Sequence, residues 1–457
     1  MENVLTAEEF LQKQFDTEVY ALLGSKVESS ISDILHEKLF ALNRRRAKYV
    51  LIKLQADEIG KVLESGKLAG FNVTIPHKRN VLPFLDRVDP LAARCGSVNT
   101  VVRNADGSLS GYNTDYAGVK ATFKRMGYDP AGKRALLLGT GGAALTCAVC
   151  LSDLGARVTA CSREREKAVA FAEEVKKLSG AEVSVATYQT LRDRFDLIVN
   201  CTPCGMYPNE DAQAADVREL RPEAVFDLVY NPLRTRLLKN ARRGVCTSNG
   251  LYMLVMQAAE AQRIYFGAEF RKRDLDRLVT ELESLLFFKR LRDKYDKKSL
   301  ALCGFMGCGK STVAKLIGKH SGMPVLDLDE EIEARAGKPI SRIFEEIGES
   351  GFRDLESETL RALSGREGVI SLGGGSVLRE ENVREIKKHS YLLFLDAPLE
   401  TIKKRLEGDE TRPLFSKDPE ALANLYDFRK KIYAQAADGR VYGTDASRLV
   451  TNLYRNL

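Results

Sequence analysis

A chain of 457 residues is too long for one ordinary core and calls for two or three domains. Hydrophobic residues at 44% and charged residues at 29% exclude a disordered or fibrous chain, and no stretch reaches the ~18 consecutive apolar residues of a membrane helix. The net charge of +7 is spread among 63 acidic residues with no basic stripe carrying aromatics, which argues against nucleic acid and for anionic small molecules.

In chain order, residues 1–120 mix short strands and helices, with apolar strand runs at 49–52 and 98–102. The opening residues carry Glu2, Glu8 and Glu9 where an export signal carries basic residues. With 9 cysteines in no framework spacing, the expectation is a cytoplasmic protein with reduced thiols. The four histidines, at 36, 77, 320 and 389, are far apart in sequence and speak against a histidine-built metal site. Three polar clusters punctuate the segment: Asn72-Val73-Thr74-Ile75-Pro76-His77-Lys78, Ser97-Val98-Asn99-Thr100, and Gly111-Tyr112-Asn113-Thr114-Asp115.

From Arg134 the pattern changes. Apolar strands at 135–138, 157–160, 197–200 and 224–228 alternate with amphipathic helices, the mark of a parallel sheet wrapped by helices. Leu136-Leu137-Leu138-Gly139-Thr140-Gly141-Gly142-Ala143-Ala144 runs from strand through a glycine turn into a helix, with Ala144 at the third position of a dinucleotide fingerprint. The next strand ends in Cys161-Ser162-Arg163. A site for NAD places an acid there, whereas Arg163, Arg165 and Lys167, tempered by Glu164 and Glu166, favour the 2′-phosphate of NADP. Cys201-Thr202-Pro203-Cys204 has C-x-x-C spacing but no thioredoxin-like helix start, so that pair is given no redox role.

Helical stretches follow at 251–266 and 275–288. Residues 289–298 are too polar for a core and read as a linker. A strand at 300–303 then opens a second α/β unit that lasts to residue 457, without internal repeats.

The sharpest motif lies here. Gly304-Phe305-Met306-Gly307-Cys308-Gly309-Lys310-Ser311 fits a P-loop in full, between a strand and the helical run 312–319. Its backbone N–H groups can curl around phosphates, Lys310 can neutralise them, and Ser311 can bind Mg²⁺. Residues 325–329 read as a strand that sets Asp327 and Asp329 on one face, one carboxylate for Mg²⁺ and one for a substrate hydroxyl. Arg353, the glycines 373–375, Arg412-Pro413-Leu414 and Arg429 follow in order.

This series resembles shikimate kinase over residues 298–457. The resemblance implies that Asp329 holds the shikimate hydroxyl as base. It implies that Arg353 and Arg429 clamp the carboxylate and that Gly373, Gly374 and Gly375 bring backbone to the substrate. ATP would meet Gly307, Cys308, Gly309, Lys310, Ser311 and Thr312, with Arg412 reaching the phosphates from a lid and Ser311 and Asp327 on Mg²⁺. Lys310 is counted with Asp329 as catalytic.

The earlier clusters, with Asn200–Met206, Asp227-Leu228-Val229-Tyr230-Asn231-Pro232 and 249–257, resemble shikimate dehydrogenase over residues 18–270. The resemblance makes Lys78 and Asp115 the catalytic pair. Ser30 and Ser32 would take the substrate carboxylate; Thr74, Asn99 and Gln257 would hold ring hydroxyls; Tyr230 would line the site. Gly139, Gly141, Gly142, Ala143, Ser162 and Arg163 would bind NADP(H), and Gly250 would approach the nicotinamide. Lys26, Ser29 and Asp33 depart from the proline, histidine and proline of that family, and Ser162 from its common asparagine. Ser32 stands where quinate-preferring relatives tend to carry threonine. A metabolite-sensing regulator is disfavoured because Lys78, Asp115, Lys310, Ser311 and Asp329 are all kept.

The expected architecture is α/β throughout. Residues 1–120, completed by helices over 250–288, form a substrate domain, and 121–249 a Rossmann NADP-binding domain. After the linker at 289–298 comes a P-loop kinase domain with a parallel sheet at 299–457. The expected reactions are reduction of 3-dehydroshikimate to shikimate and phosphorylation of shikimate, with monomer and homodimer both open.

Overall fold

The computed structural model describes residues 4–407 and 419–456. The chain divides into two compact units, Met1–Val279 and Thr280–Leu457.

The first unit contains two sheets. In spatial order the first runs Val4–Thr6, Ala47–Lys53, Glu18–Gly24, Leu68–Val73, Thr100–Arg103, Leu109–Tyr112 and Arg87–Val88. Its first four strands are parallel, and Thr100–Arg103 is antiparallel to both neighbours. The central strands are covered on both faces, so consecutive residues are buried and the apolar run is continuous rather than alternating. Val50 and Ile52 enter one core cluster while Tyr49 and Leu51 enter the other.

The second sheet is wholly parallel: Val183–Thr187, Arg157–Ser162, Arg134–Leu138, Leu197–Asn200, Ala224–Asp227, Cys246–Ser248. Numbered in chain order from Arg134–Leu138, that is 3-2-1-4-5-6, the doubly wound arrangement that binds dinucleotides where the order reverses. The reversal falls between Arg134–Leu138 and Leu197–Asn200. The helix Leu251–Phe266 then returns to the first sheet, where Tyr265 donates its hydroxyl to Asn72 at 3.0 Å.

In the second unit five parallel strands run Val325–Asp327, Val369–Ser371, Ser299–Cys303, Ser390–Asp396 and Gly439–Tyr442. The central strand Ser299–Cys303 is buried along its whole length and leads straight into the glycine turn.

Two expectations are corrected. The strand expected over 325–329 stops at Asp327, and the helix Leu328–Ala336 begins at once. Asp327 is its N-cap, accepting the Asp329 N–H at 3.1 Å, and this local bond outcompetes extension of the strand. The expected linker at 289–298 is helical as far as Tyr295, within Lys272–Tyr295. Leu282, Leu286, Phe287, Phe288 and Leu291 are buried, so the charged residues of this stretch are the outer face of an amphipathic helix.

Candidate active sites

A cleft of about 1390 Å³, open at its mouth, lies in the first unit between its two sheets. Ser30, Ser32, Thr74, Lys78, Asn99, Asp115, Tyr230, Gly250 and Gln257 all line it. Lys78 leaves the loop after Leu68–Val73, and Asp115 is the first residue of the helix Asp115–Met126. Lys78 Nζ donates to Asp115 Oδ2 at 2.5 Å, and a carboxylate at a helix N-terminus is favoured by the helix dipole.

Around this pair the polar side chains are held in a network. Asn99 Nδ2 donates to Thr114 Oγ1 at 3.0 Å and to Gln257 Oε1 at 3.4 Å, while its Oδ1 accepts the Thr114 N–H at 2.8 Å. Ser30 Oγ donates to Ser32 Oγ at 2.9 Å. Burial pushes the Tyr230 hydroxyl up to about 12, against the pull of a hydrogen bond with Ser30. Tyr230 is thus a neutral wall that can donate one hydrogen bond.

On the opposite wall, Gly141 caps the helix Gly142–Asp153. A Cβ at Gly141 or Gly142 would meet no atom within 4 Å, so an anion has room to approach the exposed N–H groups of the first turn. Ala143 lines the cleft beside them. Ser162 is buried at the end of Arg157–Ser162, and Arg163 is exposed just beyond it. This donor set fits a dinucleotide carrying an extra phosphate. Gly250 has a second role beside the one expected of it: any side chain there would overlap the Leu228 carbonyl, so packing alone demands glycine.

In the second unit a cleft of about 1020 Å³ is lined by the turn residues Gly307 to Thr312 and by Asp329, Ser371 and Gly374. Lys310 Nζ donates to Gly304 O at 2.9 Å and Phe305 O at 3.2 Å, folded back over its own loop. Ser311 Oγ donates to Asp327 Oδ2 at 2.7 Å. Two oxygen donors side by side next to a phosphate-binding turn fit Mg²⁺, which keeps waters and phosphates for its other positions.

The glycines 373–375 bring the acceptor residues together. A Cβ at Gly373 would sit 3.0 Å from Asp329 Oδ1, one at Gly374 3.7 Å from Arg429 Nη1, and one at Gly375 would overlap the Arg353 guanidinium. Arg353 Nη1 donates to the buried Glu356 at 2.8 Å. Arg429 is buried, and its Nε has no hydrogen-bond partner. An exposed carboxylate facing two arginines across bare backbone can orient a hydroxyl and grip an anionic group. Arg412 lies outside the described residues.

Sequence reasoning gave no role to four residues that shape these sites. Asn72 is buried and takes hydrogen bonds from Tyr49 and Tyr265 while donating to Asn99 O and Thr100. Thr114 locks Asn99. Glu356 fixes Arg353, and Arg405 donates to Gly307 O and Cys308 O at 3.1 and 3.0 Å. A polar residue inside the apolar run 68–73 was the available sign for Asn72.

The first cleft is shaped to set a small anionic substrate and a proton donor against a dinucleotide, and the second to set an anionic alcohol against a nucleotide triphosphate. The chain thus joins an oxidoreductase to a P-loop phosphotransferase. Comparison with known proteins narrows this. Residues 22–101 match the family model described as "Shikimate dehydrogenase substrate binding domain", and residues 306–456 that described as "Shikimate kinase". The chain is 38% identical over 285 residues to the shikimate dehydrogenase (NADP(+)) of Moorella thermoacetica, covering 59% of this chain and 95% of that one. Among solved structures it is similar to shikimate dehydrogenase 1 of Peptoclostridium difficile, with TM-score 0.54 and 31% identity over 59% of this chain and 99% of that one. It is also similar to the shikimate 5-dehydrogenase of Thermus thermophilus, solved with NADP(H) and shikimate, with TM-score 0.51 and 31% identity over 57% and 98%. The chain belongs to the shikimate dehydrogenase family, and the shikimate kinase domain behind it makes it a bifunctional shikimate-pathway enzyme.

Proposed function

We propose that the first unit reduces 3-dehydroshikimate to shikimate with NADPH and that the second phosphorylates the 3-hydroxyl of shikimate with Mg-ATP. The observation that carries the reading is the contact of Lys78 with Asp115, 2.5 Å apart in the cleft that also presents Ser30, Ser32, Asn99 and Gln257.

NADPH, when bound, supplies the hydride; Gly139, Gly141, Gly142 and Ala143 would hold its pyrophosphate, and Ser162 and Arg163 its 2′-phosphate. Ser30 and Ser32 bind the substrate carboxylate by hydroxyl hydrogen bonds. Thr74, Asn99 and Gln257 orient the ring hydroxyls, with Asn99 fixed by Thr114. Lys78 gives its proton to the oxygen that becomes the new hydroxyl, while the contact with Asp115 holds the Lys78 side chain in place. Tyr230 closes one wall against water.

In the second unit Arg353 and Arg429 hold the carboxylate of shikimate, and Glu356 fixes the plane of the Arg353 guanidinium. Asp329 accepts the proton of the attacking hydroxyl. Lys310 swings from the carbonyls of Gly304 and Phe305 onto the phosphates. Ser311 and Asp327 would hold Mg²⁺, which offsets phosphate charge.

All nine cysteines are free thiols, which suits the reducing conditions of the cytoplasm. No helix among the described residues is long and apolar enough to cross a membrane. Turnover of shikimate and quinate, each with NADP⁺ and NAD⁺, tests the substrate assignment. Shikimate with NADP⁺ is expected to dominate by at least tenfold. Preference for quinate with NAD⁺ would contradict it.

A further inference from the structure

The glycine stretch 373–375 faces Asp329, Arg429 and Arg353 in succession. Bare backbone of this kind has no side chain to hold it, and glycine loses more conformational freedom on folding than any other residue. Its peptide planes must therefore be fixed by bonds to the carbonyls. Local bonds do part of this: the Ser376 N–H donates to Gly373 O at 3.2 Å and the Leu378 N–H to Gly375 O at 3.0 Å. The carbonyl between them is taken from far along the chain, where the Tyr433 hydroxyl donates to Gly374 O at 2.6 Å.

Tyr433 lies in the helix Pro419–Ala436 and is 1% exposed. Its ring packs on Phe394 of the strand Ser390–Asp396, with centroids 5.3 Å apart. A phenol held in this way offers its oxygen at one point. Arg429 stands one turn earlier on the same helix, and residues four apart share a helix face. The helix thus meets the glycine stretch twice. Tyr433 binds the Gly374 carbonyl, and Arg429 sets Nη1 3.7 Å from the place of a Gly374 Cβ.

We propose that Tyr433 is a positioning residue of the kinase site, which sets affinity for the acceptor carboxylate by pinning the Gly374 carbonyl beside Arg429. The inference rests on the kinase reading given above. In a trans peptide the C=O of Gly374 and the N–H of Gly375 point in opposite directions. Drawing that carbonyl onto Tyr433 therefore aims the Gly375 N–H away from the helix. Gly375 is also the residue whose open face meets the Arg353 guanidinium. One hydrogen bond fixes the backbone between the two arginines, and with it their spacing for one planar carboxylate. Without the hydroxyl the carbonyl loses this partner, and the plane turns about bonds that glycine leaves unrestricted. Tyr433 lies behind the residues that line the cleft, so it acts through Gly374 and Arg429.

The test assays the full chain with shikimate and Mg-ATP as wild type, Tyr433→Phe, Arg429→Gln and the double variant. Phenylalanine keeps the ring and removes only the donor. The KM for shikimate is expected to rise about five- to tenfold in Tyr433→Phe, the scale of one hydrogen bond, with kcat within about threefold. The KM for ATP should stay within about twofold, because the phosphate turn is held by other bonds, such as those from Arg405 to Gly307 O and Cys308 O. In the Arg429→Gln background the same change should add less than about twofold, since the group being positioned is gone. If the double variant cannot be saturated, initial slopes give the same comparison as kcat/KM. An unchanged KM for shikimate, an equal rise in both KM values, or the full increment in the Arg429→Gln background each overturns the proposal. So does loss of ADP binding by Tyr433→Phe, which would make the hydroxyl a requirement of folding. A wild type that does not phosphorylate shikimate would instead defeat the kinase reading.

Discussion

Lys78 Nζ and Asp115 Oδ2 are 2.5 Å apart, with only 15% and 9% of the two side chains exposed. A pair so sheltered keeps the ammonium in one place and the proton available at one point. Lys78→Ala is expected to lower dehydrogenase kcat by about 10²–10⁴-fold, the usual worth of a positioned proton donor. Shikimate phosphorylation in the same preparation should be unchanged. Equal loss of both activities would point to misfolding instead.

Arg163 stands exposed beyond Ser162, and the proposed function sets it against the 2′-phosphate of NADPH. Arg163→Ala should raise the KM for NADPH by about tenfold or more, as loss of a charge-assisted contact of ~1.5–3 kcal/mol implies. The KM for NADH should barely move. Steady-state kinetics with the two dinucleotides reads the difference.

Gly375 has its open face against the Arg353 guanidinium, with no room for a methyl group. Gly375→Ala should displace Arg353 and raise the KM for shikimate in the kinase reaction by about 10–100-fold, the range for losing one charged hydrogen-bonding group. The KM for ATP should stay within about twofold, since the nucleotide turn is untouched. A change confined to ATP would contradict the placement of Arg353.

Among the described residues there is no cluster of three or more metal-ligating His, Cys, Asp or Glu. Mg²⁺ held through Ser311, Asp327 and phosphate should be weakly bound and easily removed. Excess chelator is expected to abolish phosphorylation and leave NADPH oxidation intact. Inhibition of both reactions would show a metal requirement in the first unit.

Asp227 is buried and accepts hydrogen bonds from Thr235, Val229 and Asn200. Burial nonetheless pushes its carboxyl up to about 6 from 3.8. A carboxyl raised on folding contributes its full stability below the unfolded value and loses it as pH rises through the folded one. Relative to Asp227→Asn, the wild type should lose on the order of 3 kcal/mol of unfolding free energy between about pH 4 and pH 6. Urea unfolding at a series of pH values measures this, and parallel curves for the two proteins would refute it.

Much of this architecture was legible in sequence because its signals are local. The run 136–144 and the run 300–311 each spell strand, glycine turn and helix within a dozen residues, and both folded that way. Signals that depend on competition were harder. Asp327-Leu328-Asp329 alternates like a strand, but the N-cap bond from Asp327 to the Asp329 N–H starts a helix. The charged run 289–298 hides apolar positions at helical spacing that only burial reveals. Least legible were residues whose role lies in another residue far along the chain. Asn99 meets Thr114 and Gln257 across 15 and 158 positions, and nothing in the sequence announces such partners. Glu356 is buried against Arg353, a role that its place among the acidic residues of 345–358 does not mark.

The central claim is that two separate clefts in one chain serve the same carboxylated ring, one after the other. It is tested most directly by mixing the purified chain with 3-dehydroshikimate and NADPH, first without and then with Mg-ATP, and following products by mass spectrometry. Shikimate should accumulate in the first case, and shikimate 3-phosphate should replace it in the second with NADPH consumed in equal amount. NADPH oxidation that yields no phosphorylated product on addition of Mg-ATP would contradict the account.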